Sequence, residues 1–285
     1  MALKSGIIFA TILIGCLALP ATDSDLSQFF EHVDVSSAQN RIVGGSVAPE
    51  GAHPHMAAMI TGSLFRSLVC GGSILTQRTI LTAAHCIAAV FSGGSLNSGL
   101  RIVVGTNRWA QGGSLHSVSS NVTHQHYVSA TIKNDLGVLY TSTPIEFSAT
   151  IRPIFLDFEL VGADVVSRAA GWGRIRHQGS ISAQLLELDV LTVSGPTCVQ
   201  EVARIAAANN IRPPAVEPHI ELCTSHPVGA GHGMCNGDSG SALVRRDRGT
   251  QIGIVSWGIP CARGAPDMFV RVSAYEDWFQ TYIRN

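Results

Sequence analysis

The 285-residue chain is poor in charge: Asp, Glu, Lys and Arg together make up 14% of it, and its formal net charge is −1. That scarcity excludes the clustered Lys and Arg that phosphate binding requires, so no nucleic-acid partner is expected. The nearest approach to a basic cluster, Arg245-Arg246 with Arg248, reads as the solvated tip of a hairpin. Long apolar runs are also missing. The stretch from Gly6 to Leu19 falls short of the roughly 18 residues that a spanning helix needs. Set between Lys4 and Pro20-Ala21, with small residues at Ala18 and Ala21, it reads as a secretory signal peptide over residues 1–21. The alternative, a retained membrane anchor, would be exposed by N-terminal sequencing. Finally, no Cys-x-x-Cys pair with partnering histidines occurs, and His124 and His126 lack a third ligand. No metal and no other cofactor is therefore expected.

What remains is a chain with the makings of a large core, 46% hydrophobic and rich in glycine. Of its seven cysteines, Cys16 lies within the signal, leaving Cys70, Cys86, Cys198, Cys223, Cys235 and Cys261. An even set in a secreted chain implies three disulfides, although spacing alone leaves the pairing open. Residues 22–41 are polar and acidic (Asp23, Asp25, Glu31, Asp34) and end in Asn40-Arg41, directly before Ile42-Val43-Gly44-Gly45. A basic residue at an exposed polar boundary invites proteolysis, so 22–41 reads as a propeptide ahead of a domain at 42–285.

From Ile42 onward the chain breaks into short β-rich runs separated by Gly, Ser, Asn and Pro. Strands are expected at Leu68–Leu75, Thr79–Thr82, Arg101–Gly105, Leu136–Tyr140, Asp164–Gly171, Leu185–Val193, Ser241–Val244, Gln251–Trp257 and Met268–Val272. This pattern argues for an all-β fold of antiparallel sandwiches or barrels. Two stretches look helical: Val199–Ala208, and a C-terminal segment opened by a capping box at Ser273-Ala274-Tyr275-Glu276. The second carries an apolar stripe, Tyr275, Trp278, Phe279, Tyr282 and Ile283, of the kind that docks on a core.

The chemistry concentrates in Cys235-Asn236-Gly237-Asp238-Ser239-Gly240-Ser241. A serine attacking a carbonyl needs backbone N–H groups aimed at the developing oxyanion, and glycine two residues earlier lets the chain turn one there. Taken alone, Gly-Asp-Ser-Gly also suits a surface turn. The rest of the chain supplies a candidate base, His85, fixed beside a half-cystine in Thr82-Ala83-Ala84-His85-Cys86. It also supplies a candidate acid: Asp135, just ahead of an apolar run, needs a partner if buried, and an imidazole N–H is a suitable one.

In order along the chain stand IVGG at 42–45, CGGSIL at 70–75, LTAAHC at 81–86, NDLGVL at 134–139, GWG at 171–173, CNGDSGS at 235–241 and SWG at 256–258. With these motifs the sequence resembles the chymotrypsin-like (trypsin-fold) serine endopeptidases from Ile42 to its end. The resemblance implies two antiparallel six-stranded Greek-key β-barrels, about 42–160 and 161–285, with the active site in the cleft between them and a C-terminal helix. It implies Ser239 as nucleophile, His85 as general base and acid, and Asp135 as the carboxylate that holds the imidazole. It further implies an oxyanion hole from the N–H groups of Gly237 and Ser239, and disulfides Cys70–Cys86, Cys198–Cys223 and Cys235–Cys261. Cleavage after Arg41 would free an ammonium on Ile42 to pair with Asp238, making the chain a zymogen whose cysteine-free propeptide is released.

By the same resemblance the primary pocket has Gly233 at its floor with Met234 beside it, and Ser256, Trp257, Gly258 and Asp267 around it. Trypsin-like relatives carry aspartate at the floor; here that position is glycine, and Asp267 stands where a second wall glycine is usual. The combination resembles the brachyurin-like collagenolytic branch and arthropod digestive chymotrypsins. It implies bulky apolar P1 residues with some tolerance of basic ones, and a trypsin-like preference through Asp267 is the alternative. Ser241 replaces a usual glycine, and residues 105–118 carry no acid for a calcium loop. Asn121-Val122-Thr123 is a glycosylation sequon. The expectation is a secreted, extracellular, monomeric enzyme acting on proteins and peptides, activated by a trypsin-like protease and controlled by proteinaceous inhibitors. No regulatory domain precedes Arg41, which favours a digestive or single-step role. The rival from another class, a non-catalytic homologue serving as a binding module, would be expected to lack the nucleophile.

Overall fold

The computed structural model describes residues 42–259 and 261–284. The expected signal peptide and propeptide, with Arg41, lie outside the described residues. Among the described residues fifteen strands alternate with few helices: β1 Ser46–Val47, β2 Met56–Thr61, β3 Ser67–Ile74, β4 Thr79–Thr82, then the short helix α1 Ala84–Ala88. They continue with β5 Phe91–Ser92, β6 Ser95–Leu96, β7 Leu100–Val104, β8 Ser114–Thr123, β9 Gly137–Thr141, β10 Val166–Gly171 and β11 Leu186–Val193. After helix α2 Gly195–Ala208 come β12 Glu221–Ser225, β13 Ala242–Arg245, β14 Thr250–Trp257, β15 Asp267–Arg271 and helix α3 Glu276–Tyr282.

The strands close into two six-stranded antiparallel barrels. The first runs β2-β3-β4-β9-β8-β7, and the second β11-β10-β13-β14-β15-β12, closed by pairing of β11 with β12. Closure removes the free edges of both barrels; the short β1 laid against β11 and the two-residue strands of the β5–β6 pair lie outside them. Runs buried on every residue, such as Gly137–Thr141 and Asp267–Arg271, lie between neighbouring strands with apolar matter on both faces. The chain ends cross over. Ser46 and Val47 pair with Glu187 and Leu186 of the second barrel, whereas α3 packs Trp278 and Phe279 into the first barrel's core with Ile80, Leu139 and Ile145.

The three disulfides join Cys70 to Cys86, Cys198 to Cys223 and Cys235 to Cys261, matching the resemblance. The nine expected strands are present within two residues of their expected ends. Three longer ones were not expected: β2, β8 and β12. Helix α2 starts at Gly195, earlier than expected, because Ser194 caps it by accepting from the Thr197 N–H. The expected capping box at Ser273 is a correction. Val272–Ala274 forms a 3₁₀ turn, α3 begins at Glu276, and its N-cap Tyr275 makes no side-chain cap bond. The aromatic stripe, not a cap, holds this helix: Tyr275, Trp278 and Phe279 are buried, and the Tyr140 hydroxyl donates to the Tyr282 carbonyl. The basic run near Arg245 does sit at the β13–β14 turn, but its guanidinium groups are paired with Asp157, Glu159, Asp189 and Asp247.

Candidate active site

His85 lies on α1, pinned through Cys86 to β3, and Asp135 lies on the loop that leads into β9. Asp135 holds the histidine twice. Its Oδ1 accepts the His85 backbone N–H at 2.8 Å, and its Oδ2 lies 2.8 Å from His85 Nδ1. Oδ2 also accepts the Ser256 hydroxyl at 2.6 Å. Burial alone would raise the Asp135 pKa, but the His85 charge and these hydrogen bonds outweigh it and hold the group below its ordinary value. An ionised carboxylate only accepts, so Nδ1 carries the proton and Nε2 is left as the basic nitrogen. For His85, burial lowers the pKa and Asp135 raises it, with the carboxylate prevailing.

The loop to Asp135 is itself tied across the barrels. Lys133 Nζ donates to Glu221 Oε1 at 2.7 Å, and the same oxygen accepts the Trp257 indole N–H at 2.7 Å, all three residues being buried. A buried ion pair with further hydrogen bonds fixes geometry more than it adds stability.

Ser239 sits on the loop between β12 and β13, and its carbonyl accepts the Gly71 N–H of β3 at 2.8 Å. Within this loop Asp238, Gly240 and Ser241 donate their N–H groups to the carbonyls of Cys235, Val255 and Asp238. The alternating N–H groups belong to Gly237 and Ser239, and Gly237 adopts a φ of 101°, which favours glycine. Asp238 points inward and is wholly buried. Its Oδ1 accepts from Gly173 at 2.7 Å and its Oδ2 from Cys235 at 3.0 Å, and burial pushes its pKa up to about 6. Glycine at 171 and 173 makes the space: a Cβ on either would come within 2.1 or 2.4 Å of the carboxylate oxygens. Ile42, also wholly buried, packs in the same apolar cluster as Met234, and Val43 bridges to Gly233.

Beside Ser239 opens a small cavity lined by Met234, Ser256, Trp257, Gly258 and Asp267, among others. Gly233, the expected floor, is not among the residues that line it. The Asp267 carboxylate occupies the space over Gly233, where a Cβ would come within 2.7 Å of Oδ2. Glycine at 233 is thus what admits an acid from β15 into this position.

The chain belongs to the trypsin family. The family model described as Trypsin matches residues 42–279. The chain is 31% identical over 242 residues to a protein named Chymotrypsin-2 from Vespa crabro, covering 84% of this chain and 98% of that one. It is 34% identical over 253 residues to Trypsin, alkaline B from Manduca sexta, covering 86% and 92%. It is also 33% identical over 248 residues to Serine protease SP24D from Anopheles gambiae, covering 86% and 82%. Membership in this family makes the protein a serine endopeptidase. The names of its relatives include both chymotrypsins and trypsins.

The structure thus brings His85, Asp135 and Ser256 into one hydrogen-bonded set beside the Ser239 loop and the cavity. Other sites stand apart. Asn121 is half-buried within β8 opposite Leu139. His124 and His126 meet edge to face with ring centroids 5.6 Å apart, and His124 packs against Tyr275. Among the described residues, Cys70, His85 and Cys86 bring potential metal ligands together, but the two sulfurs are bound to each other. Among the described residues no helix is long and apolar enough to cross a membrane. Sequence reasoning placed Ser256 in the pocket and missed its bond to Asp135. It also missed the Lys133–Glu221–Trp257 set. Neither leaves a local signal, because the partners lie 36 to 121 residues apart.

Proposed function

We propose that this endopeptidase is secreted as an inactive precursor, is activated by cleavage after Arg41, and hydrolyses peptide bonds through an acyl-enzyme on Ser239. The observation that carries the reading is Asp135 bonded to His85 Nδ1, which leaves Nε2, 3.6 Å from the Cys86 sulfur, as the nitrogen that serves as base. His85 takes the Ser239 proton as the hydroxyl attacks the scissile carbonyl and returns it to the leaving amine; water then repeats the cycle on the ester. The N–H groups of Gly237 and Ser239 stabilise the oxyanion. No metal or other cofactor takes part.

The switch rests on Asp238. Among the described residues two backbone N–H groups donate to this buried carboxylate and no cation pairs with it, and leaving such a charge unpaired costs on the order of 3–5 kcal/mol. Cleavage after Arg41 creates an ammonium on Ile42, whose side chain is already buried beside this loop. Pairing the two charges orders the Gly237–Ser239 segment. A trypsin-like protease makes the cut, proteinaceous inhibitors block the cleft, and the active protein is extracellular and monomeric.

The cavity takes bulky apolar P1 side chains and tolerates basic ones, since its wall is Met234, Trp257 and Gly258 and its acid is buried. Peptides varied only at P1, assayed before and after limited trypsin treatment with N-terminal sequencing of the product, test both parts. Faster turnover of Phe, Leu or Tyr than of Asp substrates, appearing with a new N-terminus at Ile42, is expected. Equal turnover by uncut protein would overturn the switch.

A further inference from the structure

Two buried carboxyls, Asp238 and Asp267, share one short piece of backbone. The consecutive N–H groups of Met234 and Cys235 divide between them: Met234 donates to Asp267 Oδ2 at 2.8 Å, and Cys235 donates to Asp238 Oδ2 at 3.0 Å. Asp267 is 8% exposed and faces the cavity between Gly233 and Gly258, with Oδ1 only 3.4 Å from where a Gly258 Cβ would stand. Among the described residues, the elements packed on it bring no cation. Its partner on β12 is Thr224, β14 presents Ser256 and Trp257 with Gly258 just beyond its end, and the charged group that acts on it is Asp238 from the Ser239 loop. Glu221, further along β12, is engaged by Lys133 and Trp257.

A buried carboxylate with one backbone donor and a second carboxyl as its electrostatic neighbour binds a proton well above the ordinary carboxylate range. We propose that Asp267 makes P1 preference depend on pH, the cavity favouring apolar side chains while its carboxyl is protonated and arginine or lysine once it is ionised. This rests on the reading of the cavity as the P1 pocket. Burial, and then the charge of Asp238, push the Asp267 pKa up to about 7 despite the Met234 bond. Cleavage after Arg41 gives Asp238 a counter-charge and removes part of that push, so the active enzyme changes preference at or somewhat below this value. Burial, the larger cause, is unaffected.

The sign follows from the protonation states. Arg and Lys side chains stay cationic through neutrality. The kcat/KM of a substrate reports ionisations of the free enzyme. His85 affects Arg and Phe substrates alike and cancels in their ratio. A carboxyl with a pKa of about 7 goes from about one-tenth ionised at pH 6 to about nine-tenths at pH 8.

The test is the ratio of kcat/KM for two peptides differing only in P1, Arg against Phe, across about pH 5.5 to 8.5 with activated enzyme and its Asp267→Asn variant. The asparagine is isosteric and its carbonyl can still accept from Met234. In the native enzyme the ratio is expected to rise by severalfold to about tenfold, and in the variant to stay flat and low. Benzamidine affinity, measured by calorimetry over the same range, needs no turnover. It is expected to rise with pH in the native protein alone, even if the proposed catalysis failed. A ratio and an affinity that change with the substitution but not with pH would overturn the titration. If neither changed in the variant at any pH, the assignment of this cavity to P1 would fall as well.

Discussion

Ser256 and His85 bind the same oxygen of Asp135, the hydroxyl at 2.6 Å and Nδ1 at 2.8 Å. Two donors on one buried oxygen keep the carboxylate ionised and fix the plane of the imidazole. Replacing Ser256 by Ala removes one charge-assisted bond, a loss of about 1.5–3 kcal/mol where it is not repaid by water. The Ser256→Ala enzyme is therefore expected to lose about tenfold or more in kcat with little change in KM, as read by steady-state kinetics on one peptide. An unchanged kcat would show that the bond is incidental.

The acid limb of activity should belong to His85. Its neutral form is the base, and because Asp135 raises its pKa above the ordinary 6.5, kcat/KM is expected to fall as pH drops through a value higher than that. In Asp135→Asn the raising charge is gone and burial remains, so the limb should move to lower pH while kcat falls by on the order of 10⁴. A pH profile of both enzymes checks this. A limb unmoved by the substitution would assign the ionisation elsewhere.

Gly171 and Gly173 are space for Asp238, so Gly171→Ala and Gly173→Ala should displace its carboxylate. Overpacking of this kind costs about 1–3 kcal/mol in stability. Activity after cleavage should fall further, because the displaced carboxylate no longer meets the Ile42 ammonium. Gly162→Ala, where a Cβ meets nothing within 4 Å, is the control and should leave both unchanged. Thermal melts and turnover of the cut proteins decide.

Stability of the uncut chain should carry the mark of Asp238. Its folded pKa of about 6 lies above the ordinary 3.8, so the folded chain holds a proton that the unfolded chain releases within that window. Stability from this group therefore falls as pH rises from about 4 to 6, by about 3 kcal/mol at roughly 1.4 kcal/mol per unit. Denaturant melts of uncut native protein and Asp238→Asn should diverge across this window. Parallel curves would contradict the assignment.

Much of this was legible along the chain, and the exceptions have physical reasons. Strands such as Gln251–Trp257 declare themselves by β-branched and aromatic residues. Strand β2 does not: Met56-Ala57-Ala58-Met59 has weak strand preference and is held by pairing with β3 and β7 on either side. Strand β8 is mostly polar, and β12, Glu221–Ser225, has only Leu222 and Cys223 as apolar residues. His85, Asp135 and Ser239 are nominated by their motifs, and the structure joins the first two by a hydrogen bond. That Asp267 fills the space over Gly233 could not be read this way, because it depends on β15 lying beside the Met234 backbone, 33 residues away in sequence.

The most direct test is covalent. Uncut protein, and protein cleaved after Arg41, are treated with a fluorophosphonate and the modified residue is located by peptide mass spectrometry. Stoichiometric labelling of Ser239 in the cleaved protein, little in the uncut protein, and loss of label in His85→Ala are expected. A cleaved, folded protein with Ser239 unlabelled would contradict the assignment of Ser239 as nucleophile.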